Sequence, residues 1–228
     1  MQLLALETST TLGSCALWRD GQCIERFCPA GQSHSETLLP LIRALLAEAG
    51  VALTQLDAIA FGAGPGAFTG LRVACGVAQG LAVGASLPVV PVGTLDTLAW
   101  ASGAVCCLAM LDARMGEVYS GLFVREMSGV RALGDLCLCV PQKMAWPQEK
   151  CVAVGNALSA YPLLAEEAVT HGIRIQPELM PHAADVAALA ALKLAAGEVC
   201  DPALAVPLYV RDKVARTIVE RLSEGGKA

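Results

Sequence analysis

The chain is short of charge: 16 Lys and Arg stand beside 21 Asp and Glu in 228 residues, 16% charged against 55% hydrophobic. Its formal net charge of -5 comes without a long basic run. That argues against nucleic-acid binding by this chain alone, because phosphate contacts need Lys and Arg. Histidine is scarce too, with three in all. No Ser or Cys has a recognisable His partner, so a peptidase built on such a pair finds no support. No Lys follows the glycines of residues 62–70 in a Gly-Lys-Ser/Thr arrangement, so the phosphate loop of the common nucleotide hydrolases is absent. The glycine spacing does not fit a dinucleotide fingerprint either. Met1 runs straight into Gln-Leu-Leu-Ala-Leu-Glu-Thr-Ser, with no basic start, longer apolar core or small-residue cleavage site. It reads as a first strand and a cytoplasmic protein. The composition excludes a disordered chain, and the length suits one large or two small cores.

Cysteine, by contrast, is plentiful. The ten cysteines are scattered through apolar stretches and read as small buried hydrophobes. Cys106-Cys107 and Cys137-Leu-Cys139 lack the paired two-residue spacing of zinc ribbons, and no metal is assigned to them.

Glycine is concentrated in the most informative stretch, Phe61-Gly-Ala-Gly-Pro-Gly-Ala-Phe-Thr-Gly-Leu-Arg72 and the helix that follows. Gly62, Gly64 and Gly66 predict a turn after a strand, with Thr69 capping a helix that begins near Gly70. Free amides at such a helix start can hold a phosphate or carboxylate. A tight turn with close helix packing explains the same glycines equally well. Along the helix Gly76, Gly80 and Gly84 recur every fourth residue, beside a second small ridge of Gly70, Ala74, Ala78 and Ala82. Each interior glycine costs about 1 kcal/mol relative to alanine, so the row points to close approach by another backbone. A membrane dimer motif is set aside: Arg72 and Gln79 interrupt the run, which is shorter than a bilayer span.

Short apolar stretches bounded by turn residues near 10–13 and at Asp20-Gly21 predict strands over 3–7, 14–19 and 22–28, with a hairpin at Asp20-Gly21. Ser33-His-Ser-Glu36 fits a capping box ahead of a helix over 35–49, in which Pro40 should bend the axis unless it falls in the first turn. A strand over 58–61, the glycine-rich helix and a strand over 89–92 complete an alternating α/β unit. Residues 108–123 then echo 3–18: an apolar strand ends in an acid, a turn follows, and a strand returns. A strand over 151–155, helices near 158–168 and 185–196, and a tail from Pro202 come after. Two lobes are expected, 1–103 and 104–228, divided at the small residues 101–104.

Five blocks, in order, resemble the bacterial TsaB family, also called YeaZ: Leu4-Ala-Leu-Glu-Thr-Ser-Thr10, His34-Ser-Glu-Thr-Leu-Leu-Pro40, Gly64-Pro-Gly-Ala-Phe-Thr-Gly-Leu-Arg72, Asp112-Ala-Arg-Met-Gly-Glu-Val-Tyr119 and Pro207-Leu-Tyr-Val-Arg211. The resemblance implies an actin-like, duplicated ribonuclease H-like α/β fold, shared with sugar kinases and Hsp70 ATPase domains. It also implies a part in making threonylcarbamoyladenosine, the modified base beside the tRNA anticodon. In that pathway the family partners the catalytic paralogue TsaD, with the ATPase TsaE joining them, and tRNA is met only through the complex. The resemblance further implies a helical interface in which each partner gives two helices, open to a homodimer when TsaD is absent.

On this reading the partner-binding residues are Ser35, Leu38, Leu39, Ile42, Arg72, Gly76, Gln79 and Gly80. The candidate nucleotide or anion site is Glu7, Thr8, Ser9, Gly64 and Gly66, for weak or shared ATP or ADP. No catalytic residue and no other cofactor is expected. In the paralogue two histidines at i and i+4 hold a metal; His34 matches the first, but Leu38 stands at the second and cannot ligate. Glu7, Asp112 and Glu117 are single acids without the partners catalysis needs, and Gly155-Asn156 only faintly resembles the glycine turn that holds adenosine. Arg211, Lys213, Arg216 and Arg221 are the best local basic cluster for a tRNA contribution, with a solvated helical face as the competing explanation. The rival functions are a stand-alone actin-like ATPase or small-molecule kinase, and a peptidase.

Overall fold

The computed structural model describes residues 1–211. Strands β1 (Gln2–Glu7), β2 (Ser14–Arg19) and β3 (Gln22–Phe27) form a meander. Its second turn places Asp20 and Gly21 at φ 47° and 90°, the left-handed geometry a two-residue hairpin needs. Helix α1 (His34–Ala49), β4 (Ala58–Gly64), α2 (Phe68–Ala85) and β5 (Val89–Gly93) follow. The first sheet has the order β3-β2-β1-β4-β5, with β4 parallel to β1 and β5 parallel to β4. After α3 (Thr94–Ala101) come β6 (Cys106–Arg114), β7 (Glu117–Glu126), β8 (Gly129–Ala132) and β9 (Cys137–Cys139). Then β10 (Val152–Val154), α4 (Ala157–Ala160), α5 (Pro162–Thr170), β11 (Arg174–Gln176) and α6 (Ala183–Ala195) complete the regular structure. The second sheet reads β8-β7-β6-β10-β11, antiparallel across its hairpins and parallel from β6 to β11, with β9 pairing β7. Strand order and direction repeat between the sheets, β6 standing for β1 and β10 for β4. This is the duplicated arrangement the resemblance implies.

Alternation along β1 splits its side chains between two layers. Leu4 and Leu6 meet Leu38, Ile42 and Leu45 of α1 and Ala74, Ala78 and Ala82 of α2. Leu3 and Ala5 face the other way, against Ala183, Val186, Ala187 and Ala190 of α6. Each leucine buried this way is worth about 1.5–3 kcal/mol. Helix α6 therefore covers one side of the first sheet although it lies late in the chain. Helix α3 packs on the second sheet through Leu95 and Leu98, which meet Ala109, Leu111 and Val154.

Several expectations need correction. The capping box does not form: Ser33 Oγ lies 2.6 Å from Ser35 Oγ, and the Ser33 carbonyl instead accepts from the Thr37 amide and hydroxyl. Pro40 sits inside α1, beyond its first turn. Thr69 is within α2, whose N-cap is Ala67, and strand β4 continues through Gly62 to Gly64. The helix expected near 158–168 is two helices, because Pro162 starts a new one after Tyr161 leaves helical geometry.

Candidate functional site

The two small ridges of α2 point in opposite directions. Gly70, Ala74, Ala78 and Ala82 are buried, and a Cβ on Gly70 would overlap the Thr8 carbonyl oxygen. Gly76, Gly80 and Gly84 are exposed, with open space where a Cβ would stand. Beside them α1 exposes Ser35, Leu39, Pro40, Ala44 and Ala47, and α2 exposes Val83 at 65%. The glycine row leaves a low shelf on α2, flanked by exposed Val83 and, on α1, by a mixed face that also exposes Arg43. Leu38 and Ile42, by contrast, are 0% and 1% exposed. They belong to the core on the inward face of α1 and leave the docking set. Gln79 is half-buried and turned sideways, its Nε2 donating to the carbonyls of Pro202 and Ala205, each at 3.0 Å. Arg72 is exposed, lies 3.9 Å over the Phe68 ring and donates from Nε to Tyr209 Oη at 3.1 Å.

Between the sheets a cleft of about 550 Å³ is lined from one side by Ser9 to Thr11 and Gly66 to Phe68, and from the other by Asp112 to Met115 and Asn156. Of the five candidate anion-site residues only Ser9 and Gly66 line it. Thr8 is fully buried, its hydroxyl donating to the Gly70 carbonyl at 2.7 Å. Gly64 faces the Leu208 carbonyl oxygen, which a Cβ there would meet at 2.8 Å. Glu7 lies in the core, where its Oε1 accepts from the Ser9 amide at 2.6 Å while Oε2 has no hydrogen-bond partner. Burial pushes its carboxyl above the ordinary glutamate range, against the pull of the Ser9 and Thr8 amides. Gly62 is a glycine because a side chain there would overlap the Glu7 carboxylate. The amide of Ala67, at the mouth of α2, already donates to the Ser9 carbonyl at 2.7 Å. These glycines thus make room for neighbouring groups, as the packing explanation requires.

Across the cleft, Asp112 accepts from Tyr161 Oη at 2.9 Å and from the Arg114 amide at 2.8 Å, and its own amide donates to Asn156 Oδ1 at 2.9 Å. Glu117 is paired with Arg211. Both acids are thus held in structural contacts. Among the described residues no hydrogen bond joins a histidine to a serine or cysteine. His34 Nε2 donates to the Thr10 carbonyl at 3.0 Å, with its ring packed against Gly13; His171 stacks on Trp146; and His182 lies 3.6 Å from Glu25. No cluster of three potential metal ligands occurs among the described residues. Of the basic cluster only Arg211 is described; Lys213, Arg216 and Arg221 lie outside the described residues.

Sequence reasoning missed the part played by residues 202–211. The Pro207-Leu-Tyr-Val-Arg211 block supports the resemblance, yet no periodicity marks it as a wall of the cleft, which it forms through Leu208, Tyr209 and Arg211.

Residues 29–218 match the model of the family described as TsaD, tRNA N6-adenosine threonylcarbamoyltransferase. The tRNA threonylcarbamoyladenosine biosynthesis protein TsaB of Escherichia coli is 37% identical over 224 residues, 94% of this chain and 96% of that protein. TsaB of Haemophilus influenzae is 47% identical over 55% of each chain. Among solved structures, YeaZ from Pseudomonas aeruginosa superposes with a TM-score of 0.81 at 37% identity, covering 92% of this chain and 99% of that one. A second Pseudomonas aeruginosa structure, described as similar to peptidase YEAZ, gives 0.82 at the same identity and coverage. With sequence and fold matched over nearly its whole length, the chain belongs to the TsaB family, also called YeaZ.

Proposed function

We propose that this protein is a non-catalytic subunit in tRNA threonylcarbamoyladenosine synthesis, pairing with TsaD and, through that pair, with TsaE. One observation carries the reading: α2 keeps Gly76, Gly80 and Gly84 on an open face at a cost of about 1 kcal/mol each. A second pair of helices laid on that shelf would gain the close backbone approach that offsets this cost. A copy of the same chain offers the same shelf, so a homodimer competes when TsaD is scarce. The role needs no chemistry from this chain, and the structural contacts of Asp112 and Glu117 suit that. Transfer of the threonylcarbamoyl group then falls to TsaD, and tRNA is bound by the assembled complex in the cytoplasm.

The cleft leaves room for weak or shared ATP or ADP, so a stand-alone ATPase or kinase is the second reading. Reconstitution separates the two. Purified TsaD, TsaE and the synthase that makes threonylcarbamoyl adenylate should modify tRNA only when this chain is added, while the chain alone should turn over no ATP. Full modification without it, or steady ATP hydrolysis by it alone, overturns the proposal.

A further inference from the structure

Residues 205–211 form no helix or strand, yet they touch three separate bodies. Along the flank of α2, Cys75 Sγ lies 3.5 Å from the Ala205 carbonyl, Gln79 holds the Pro202 and Ala205 carbonyls, and Arg72 holds Tyr209. These three α2 residues, at i, i+3 and i+7, share one side of the helix, next to the Gly76 and Gly80 row. At the end of β4, the Leu208 amide donates to the Ala63 carbonyl at 2.7 Å, and its own carbonyl lies over Gly64. In the second lobe, Arg211 donates to the carbonyls of Ala113 at 3.2 Å and Arg114 at 3.4 Å, lies 2.9 Å from Met115 Sδ, and pairs with Glu117. The turn it grips holds Arg114, Met115 and Gly116 at φ 60°, 56° and 77°. Met115 and Gly116 are the two-residue loop between paired Arg114 and Glu117, so Arg114 is the residue whose left-handed backbone needs its surroundings to hold it. The same turn and the same segment face each other across the cleft.

We propose that residues 205–211 are a strap that couples the α2 docking face to the β6–β7 turn across the cleft. The segment is tied at intervals of a few residues, at Ala205, Leu208, Tyr209 and Arg211, which leaves little free chain between its anchors. A partner seated on Gly76 and Gly80 abuts the α2 flank that anchors one end, and Arg211 carries the shift to the β6–β7 turn at the other. Docking and the order of that turn are thereby linked, and the link acts in both directions. The inference rests on the reading that TsaD docks on α2.

Amide hydrogen exchange of the full chain, alone and with saturating TsaD, tests it. In the unaltered protein the turn at 113–117 should exchange about fivefold or more slower in the complex. In Arg211→Lys, which keeps a charge for Glu117 but loses the fork that reaches two carbonyls, that difference should shrink towards zero, while protection of α2 by TsaD remains. Glu117→Gln, which weakens the grip from the turn's side, should reduce it in the same direction. A complex that protects α2 but leaves 113–117 unchanged overturns the strap and spares the docking reading. So does full slowing in both variants. Absence of any α2 protection refutes the docking reading, and the strap falls with it.

Discussion

The opposed ridges of α2 predict opposite outcomes for the same kind of substitution. Gly80→Ala places a methyl in open space. It should stabilise the isolated chain by about 1 kcal/mol from helix propensity alone. For a chain of this size that is about 2–4 °C in melting temperature. Gly80→Leu should give nearly the same gain, since leucine ranks close behind alanine. Gly70→Ala, ten residues earlier, drives its methyl into the Thr8 carbonyl oxygen, which is backbone and cannot rotate away. Overpacking of that kind costs about 1–3 kcal/mol and should outweigh the propensity gain. Thermal melts of the three variants read these signs directly. The docking test uses Gly80→Leu, whose side chain would hold apart backbones meant to touch. If the misfit costs about 1–3 kcal/mol, TsaD binding weakens by roughly 5- to 160-fold. Calorimetry against TsaD, with tRNA modification as the functional readout, measures that loss. A stabilised Gly80→Leu protein that binds TsaD at unchanged strength would refute the docking argument. A destabilised Gly80→Ala would refute the claim that this row is open.

The purified chain should show no steady ATP turnover and hold no stoichiometric zinc or iron by elemental analysis; one tightly held metal per chain would favour an enzyme. At physiological salt its binding to tRNA in a gel shift should be weak alone and strong with TsaD added, since the chain is acidic overall. Thr8→Val removes the hydroxyl donated to Gly70 and should cost about 1 kcal/mol in denaturant unfolding; no change would mean that this bond is not stabilising. Burial pushes the Asp185 carboxyl up to about 6, although His182 and Arg125 oppose it. A raised folded-state value means that its contribution is fully present below the unfolded value near 4 and is lost as pH rises through about 6. Asp185→Asn should therefore flatten the fall in melting temperature over that window, and an unaltered slope would count against the shift.

The outline of the fold was legible because β1 and its echo at β6 are short apolar runs that end in an acid, and the glycine row on α2 has a helical period. What escaped was decided by distant neighbours. Helix α3 has eight residues and buries five, Thr94, Leu95, Thr97, Leu98 and Ala99, too short and too uniformly buried for a period to stand out. Leu38 and Leu39 are identical in sequence terms, yet one is core and the other shelf, which only the placement of α1 against the first sheet decides. The glycines of 62–66 invited an anion site, but Gly62 clears Glu7, Gly64 clears Leu208 and Gly66 clears Ser9. Those partners lie far apart along the chain, and no local pattern links them.

The late return of α6 to the first sheet bears on how the protein is made. When the first hundred residues leave the ribosome, Leu3, Ala5, Ala58, Ala60, Val90 and Val92 have no α6 to cover them. The first five strands can pair, but one side of their sheet stays wet until residue 195 has emerged. A fragment cut at residue 103 would carry that bare apolar face permanently and should aggregate, so the two halves are not independent building blocks for expression or for swapping between relatives.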